Sequence, residues 1–448
     1  MKAVLFFLKN RVRAINNFNV HSPFKSAPDN FNICFVKMIE YKKHTLANGL
    51  RVIVHTDKST PMTAVNVLYN VGSKDENPEK TGFAHLFEHL MFGGSKHIAD
   101  YDTPLQKVGG ENNAFTTNDL TNYYLTLPSR NIETGLWLES DRMLELAFNK
   151  KSLETQRSVV IEEFRQRYLN QPYGDAMALL YEMAYKVHPY RWPTIGRDIS
   201  HIENATMEDV KEFFLKFYAP NNAVLSICGN IEADEAFALS EKWFGSIPSR
   251  NVPIRNLPQE PLQAERREQS VTRSVPYNAL NMAFHMSSKF TPEYYASDLI
   301  SDILSNGNSS RLYRNLIVEK GLFSELDAFI SGDDDPGLFI FSGKLIEGIS
   351  YEQAESAIWA EIEKIKQERI DEKELQKVVN KIEANLIFSE TSYLNKAINL
   401  AAFELAGDVS MINRQADSYR QISPEKLIET ANQVFTQSNC STLYYNRK

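Results

Sequence analysis

Apolar and polar residues alternate along this chain with two distinct periods, and the switches between them mark out its elements. Residues 42–55 hold two extended runs, KKHTL and LRVIVH, around Asn48-Gly49. A period of two on both sides of a dipeptide that tolerates positive φ predicts a β-hairpin with a type I′ turn. Met62–Val71 repeats the pattern of a half-buried strand. From Thr81 the period lengthens to that of a helix, which runs to Phe92 and stops at Gly93-Gly94. A short helix follows Asp102, with Pro104 early in it and Gly109-Gly110 closing it. Two strands, Asn112–Thr117 and Thr121–Pro128, precede helical patterns over about 130–147, 151–169 and 174–187. Thr206 caps a further helix to Phe217, and Ala223–Gly229 returns as a strand. Strands and helices mix without strict βαβ alternation, so the expected class is α+β.

The second half of the chain repeats the first. Ala64–Ser95 sets against Ala279–Ser310 without a gap, and Ala64, Asn66, Ser73, Lys74 and Ser95 match Ala279, Asn281, Ser288, Lys289 and Ser310. Further on, Thr206–Ile227 pairs with Ser423–Tyr444, each a capped helix followed by a strand. The two offsets, 215 and 217, are nearly equal, which points to duplication. The polar stretch between the copies carries Pro253, Pro258 and Pro261 and reads as a linker. The expected organisation is an extension at 1–37, a first domain at 38–250, a linker at 251–268 and a homologous second domain at 269–448. Each domain is expected to be a mostly antiparallel sheet backed by helices.

Composition narrows the class. The chain has 448 residues, 43% hydrophobic and 24% charged, as expected of folded domains, and a net charge of −8 that does not suggest nucleic acid as the main partner. No apolar stretch reaches the roughly 20 residues a membrane-crossing helix needs, so no membrane partner is expected. Cys34, Cys228 and Cys440 are odd in number and far apart, which argues against a disulfide framework or a cysteine metal site. The first 37 residues carry a net +5 and the remainder −13. The apolar run Val4–Leu8 is too short for a secretory core and no Ala-x-Ala site follows it. The extension is therefore expected to lie outside the fold and the protein to be cytoplasmic, with the periplasm or an organelle as alternatives.

The chemistry concentrates in HLFEH, residues 85–89. On a helix, His85 and His89 lie one turn apart on one face and can aim at one ion. Glu88 shares that face and can reach a water beside the ion as general base. Phe83, Ala84, Leu86, Phe87, Leu90 and Met91 surround the polar trio. A helix this apolar is buried, and buried ionisable groups need partners. Catalytic zinc takes three protein ligands and keeps one position open. The helix ETQRSVVIEEFRQRY offers Glu154, Glu162 and Glu163 as the third ligand. Glu163 borders the apolar face expected from Val159, Val160 and Phe164 and is preferred, with Glu162 as the alternative. The second copy holds Ile300, Ile303 and Leu304 opposite His85, Glu88 and His89, so it is expected to serve as structure and substrate wall.

These motifs resemble those of the inverzincin peptidases, the group of pitrilysin, insulin-degrading enzyme and the mitochondrial processing peptidase. The resemblance spans about residues 40–448. TGFAHLFEHLMFGGS is similar to the family's zinc helix and QRSVVIEEF to the helix supplying its third ligand, which implies Glu163. ENNAFTTNDLTNYY resembles the family's substrate-binding edge strand and carries over Asn113, Ala114, Phe115 and Thr116 as substrate contacts. The resemblance implies a zinc-dependent endopeptidase with one Zn2+ per chain, acting on peptides or unfolded segments within a chamber. A metal-retaining peptide-binding or structural subunit with little turnover is the alternative. Two positions depart from the pattern. Gln156 stands where a second glutamate is frequent, and VEKGLFSE places Val318 and Ser324 where an Arg/Tyr pair grips substrate. The expected active form is therefore a heterodimer with a metal-free paralogue that supplies the pair. A homodimer using Arg311 or Tyr313 is the runner-up.

Overall fold

The computed structural model describes residues 38–448. The extension expected at 1–37 and Cys34 lie outside the described residues. Six strands, β1 (Lys42–Thr45), β2 (Arg51–Thr56), β3 (Met62–Tyr69), β4 (Glu111–Thr116), β5 (Thr121–Pro128) and β6 (Ala223–Gly229), form one sheet in the order β1-β2-β6-β3-β5-β4. Five more, β7 (Arg267–Arg273), β8 (Ala279–His285), β9 (Phe323–Ile330), β10 (Leu338–Leu345) and β11 (Cys440–Arg447), form a second in the order β7-β11-β8-β10-β9. Only β2/β6 and β7/β11 run parallel. The α+β class with two mostly antiparallel sheets is as expected, and β2-β6-β3-β5-β4 corresponds strand for strand to β7-β11-β8-β10-β9. The repeat seen in the sequence thus aligns β3 with β8 and β6 with β11.

The helices of the first half are α1 (Phe83–Leu90), α2 (Asp102–Lys107), α3 (Ile132–Leu144), α4 (Lys150–Phe164), α5 (Ala176–Ala184), α6 (Ile199–Glu203), α7 (Met207–Phe217) and α8 (Ala233–Phe244). Those of the second are α9 (Pro292–Ser305), α10 (Tyr351–Gln367), α11 (Glu372–Glu390), α12 (Tyr393–Leu405), α13 (Gln415–Arg420) and α14 (Pro424–Val434). Their starts are capped as the residue types require: the Thr206 hydroxyl accepts from Asp209 N–H, and the Asp371 carboxylate from Lys373 and Glu374.

The first hairpin differs from expectation. Thr45 pairs with Arg51, so the loop spans five residues, 46–50, and only Gly49 has positive φ (+87°). A type I′ turn needs positive φ at both central residues. Asn48 is instead buried, and its amide donates to the carbonyls of Phe244 and Ile247 at 2.8 and 2.9 Å. These two bonds from a side chain tie the loop to the end of α8 and set its shape.

Each half lends a helix to the other. Ala397, Leu400, Ala401 and Phe403 of α12 pack on the first sheet against Ile53, Ala64, Leu68 and Val224. Leu180, Met183 and Ala184 of α5 pack on the second sheet against Ala279, Ala283, Leu338 and Ile340. Both faces of each central strand are therefore covered, which explains why β6 is buried along its whole length. Burial of this shared apolar surface, at roughly 25 cal/mol per Å² removed from water, makes the halves one packed body. Segment 251–264 crosses between them without regular structure.

Candidate active site

The helix carrying HLFEH begins at Gly82, whose φ of +89° and whose approach to Ile195 O, 2.5 Å from where a Cβ would sit, leave room for glycine alone. The orphan N–H groups at its start are met by a distant acid rather than by a local cap. Glu76 accepts from Gly82 N–H at 2.9 Å and Ala84 N–H at 2.8 Å, and its Oε2 also accepts from Trp192 Nε1 at 3.2 Å. Burial pushes the Glu76 carboxyl up to about 8, while these three donors pull the other way. Phe83, Leu86, Phe87 and Leu90 turn inward, with Phe87 stacked on Tyr218 at a centroid distance of 5.1 Å. This packing leaves His85, Glu88 and His89 on the side that faces α4 and β4.

Helix α4 starts at Asn149, whose side chain accepts from Lys151 N–H. Its buried residues are Leu153, Val160 and Ile161, whereas Val159, expected on that face, is 45% exposed. Arg157 holds the helix in rotation by donating from Nε to Ile202 O at 3.1 Å. Glu163 then meets the histidine pair: its Oε2 lies 3.7 Å from His85 Nε2 and 3.5 Å from His89 Nε2. One ligand atom from each of the three lies within 4.8 Å of the others. Glu162 and Glu154 point elsewhere, to Gln166 and Arg157. Beyond Phe164 the chain widens into a π turn, Arg165–Leu169, from which Arg167 Nη2 reaches Glu163 Oε1 at 2.8 Å. Arg167 was not foreseen from the sequence, because its role depends on that widened turn.

The electrostatics follow from burial. Burial drives the His85 imidazolium down to about 4, so the ring is neutral near pH 7. Burial raises the Glu88 carboxyl, and a hydrogen bond from Thr116 opposes it. At Glu163 burial is outweighed by the hydrogen bond from His89 and by His85 and Arg167, and the carboxyl is lowered. Within the described residues, His85 Nδ1 is buried without a hydrogen-bond partner. A neutral, buried imidazole facing a second imidazole and an ionised carboxylate is a donor set that fits zinc with one position left open.

Beside this cluster runs β4, the last strand of its sheet, paired only with β5. Asn113 is exposed, and its Oδ1 accepts from the N–H of Ala114 at 2.8 Å. Ala114 and Phe115 are half-buried. Thr116 is buried, and its hydroxyl donates to Glu88 Oε2 at 2.7 Å. Its side chain therefore faces the Glu88 carboxylate, and only its backbone stays on the strand edge. In the second half, Ile300, Ile303 and Leu304 are fully packed in α9. Val318 is 63% exposed, and Ser324 on β9 donates to Lys344 O at 3.3 Å. Arg311 is engaged by Glu374, with contacts of 3.1 and 2.6 Å.

The family model for "Insulinase (Peptidase family M16)" matches residues 51–198, the span that holds the His85–His89–Glu163 cluster. The model for "Peptidase M16 inactive domain" matches residues 204–382. The chain belongs to the M16 peptidase family. The zinc protease PqqE of Helicobacter pylori is 28% identical over 413 residues, covering 90% of this chain and 92% of that one. YmxG of Bacillus subtilis, named an uncharacterized zinc protease, is 23% identical and covers 88% of this chain and 96% of its own. The crystal structure of a protease from Helicobacter pylori superposes with a TM-score of 0.86 at 28% identity, over 91% of this chain and all of that one. Pitrilysin shares the fold, with a TM-score of 0.73 at 19% identity, over 92% of this chain and 46% of its own. The second M16 model begins ahead of α7 and β6, although β6 belongs to the first sheet and α7 packs in the first half's core. Sequence boundaries of M16 domains thus do not coincide with sheet boundaries here.

Proposed function

We propose that this M16 chain is a zinc-dependent endopeptidase that hydrolyses peptides or unfolded segments. The observation that carries the reading is the convergence of His85, His89 and Glu163 next to Glu88 and an unpaired strand edge. His85, His89 and Glu163 would hold one zinc ion per chain. When bound there, zinc supplies Lewis acidity toward a carbonyl and makes water more acidic. The remaining work falls to the chain's own groups. Glu88 is the general base: held through Oε2, it takes the proton of the attacking water and returns it to the departing amine. The edge of β4, through the backbone of Asn113, Ala114, Phe115 and Thr116, adds an extended peptide as one more strand. Backbone pairing favours unfolded substrates, since a folded chain has already paired those groups. Among the described residues no helix is long and apolar enough to cross a membrane.

The missing grip supports a partner. Val318 and Ser324 offer a peptide no cation and no phenol. Arg311, the candidate substitute, is already bound to Glu374. Orientation of substrate contributes on the order of 7 kcal/mol in favourable cases. The active form is accordingly a heterodimer with a metal-free paralogue. The same positions favour a second reading, a metal-retaining peptide-binding subunit with little turnover. Zinc content and hydrolysis of a quenched peptide library, measured on the chain alone and with its paralogue, separate the two. Zinc binding with turnover that rises on adding the paralogue is the expected result. Zinc binding without turnover in either state overturns the peptidase reading, and full turnover alone overturns the heterodimer.

A further inference from the structure

Glu88 is half-buried, and its hydrogen bond comes from a residue on a different element. Thr116 is the last residue of β4, 28 positions downstream, and its hydroxyl lies 2.7 Å from Glu88 Oε2. Among the described residues it is the side chain that orients this carboxylate. Two facts make the contact more than satisfaction of a buried acid. First, a strand edge with no partner on one side is the least constrained part of a sheet. Second, Thr116 is fixed on its other side: it pairs with Thr121 of β5, and the loop after it is pinned by Ser73 N–H to Thr117 O at 3.2 Å and by Lys74 N–H to Asn118 O at 2.9 Å. The strand is thus anchored at the Thr116 end and open along the rest of its outer edge.

We propose that Thr116 is a positioning residue for Glu88: the anchored end of β4 holds this hydroxyl, and the hydroxyl fixes the base beside the edge on which a peptide strand would pair. The inference rests on the peptidase reading above. β4 carries the Thr116 hydroxyl, and the hydroxyl holds one carboxylate oxygen so that Oε1 meets the reacting proton. Zinc is not involved in the link, because Thr116 contacts none of His85, His89 or Glu163 in the hydrogen bonds described.

The test compares Thr116→Val, which keeps the shape and removes the donor, with Thr116→Ser, which keeps the donor. Zinc content and zinc affinity are measured first. The affinity of the zinc-free chain for a fluorescent extended peptide follows, and then kcat and KM in whichever state, alone or paired, the parent chain turns over. Thr116→Val is expected to hold zinc and peptide as the parent does and to lose roughly tenfold or more in kcat with KM unchanged, a part of what a general base contributes. Thr116→Ser is expected to restore kcat. In a Glu88→Gln background, adding Thr116→Val is expected to change nothing further, since the two act as a unit. If valine prevents folding, Thr116→Cys, a weaker donor of similar size, takes its place and must fall below Thr116→Ser in kcat. Parental kcat in the donor-poor variant, equal loss in the serine variant, or loss of zinc would each overturn the proposal. A zinc-loaded parent without turnover, alone or paired, overturns the peptidase reading itself, and is recognised without any Thr116 variant.

Discussion

The backbone N–H of Asp334 donates to Oδ2 of Asp119 at 3.1 Å, across a span of 215 residues. That span is the repeat offset, so the two halves contribute equivalent acids to one contact. Asn118 Nδ2 and Asp333 Oδ1 meet in the same way, 3.5 Å apart and again separated by 215 residues. The matched lysines join them: Lys74 Nζ lies 2.8 Å from Asp119, and Lys289 Nζ lies 3.1 Å from Asp334. The halves therefore meet about a local two-fold axis made of charged side chains. This seam adjoins the loop between β4 and β5, so the domain interface and the open edge of β4 share a turn.

Lys74→Met should destabilise the whole chain. Lys74 is 4% exposed and Asp119 1%, and Lys289 Nζ stands further off, 3.8 Å from Asp119 Oδ2. Removing one partner of a buried pair leaves the other charge uncompensated, at a cost of about 3 kcal/mol. Urea unfolding followed by tryptophan fluorescence reads this as a lower midpoint. An unchanged midpoint would show that Lys289 and the Tyr190 hydroxyl, which donates to Asp119 Oδ1, suffice.

Asp333→Asn should stabilise at neutral pH. Asp333 is buried, its Oδ2 lacks a hydrogen-bond partner among the described residues, and burial together with Asp119 pushes its carboxyl up to about 6 from an ordinary 3.8, with Lys289 opposing. Between those two values the folded chain keeps a proton that the unfolded chain has released. Parent stability therefore falls as pH rises through that window and levels off above it. The asparagine variant should gain up to about 3 kcal/mol above pH 6 and nothing below the ordinary carboxyl value. Denaturation at several pH values checks this, and a gain independent of pH would assign the effect to packing instead. The equivalent place in the first half, Asn118, already carries an amide.

Glu163→Gln should strip zinc far more than Glu162→Gln or Glu154→Gln, because only Glu163 reaches both imidazoles. His85→Ala and His89→Ala should lose zinc and turnover together, and Glu88→Gln should keep zinc and lose turnover. Metal analysis of the purified variants decides it. Zinc lost from Glu162→Gln and kept by Glu163→Gln would mean that α4 is rotated by a residue.

Glu76→Ala should weaken zinc binding without touching a ligand. It leaves the Gly82 and Ala84 N–H groups without their acceptor and the Trp192 indole with Ser73 O alone, a loss of about 1–3 kcal/mol. Part of it should appear as loosened orientation of His85, one residue beyond Ala84. Thermal melting and competition with a chelator measure both, and a lower melting temperature with parental zinc affinity would confine Glu76 to stability.

The sequence by itself determined much of this protein. Period and spacing located the strands and helices, the offsets of 215 and 217 exposed the duplication, and HLFEH named three residues that one helical turn keeps together. These are local facts, written in neighbouring positions. Tertiary structure decided the rest, because it depends on how helices rotate and which loops meet. The buried side of α4 excludes Val159 and presents Glu163, a choice made by Arg157 and the packing of Val160 and Ile161. Glu76 caps a helix from several residues upstream, outside the reach of any capping rule, and Thr116 turns from the strand edge to Glu88. The exchange of α5 and α12 between the halves follows from one physical cause. A sheet with two apolar faces must find cover for both, and only the folded chain shows which segment supplies it.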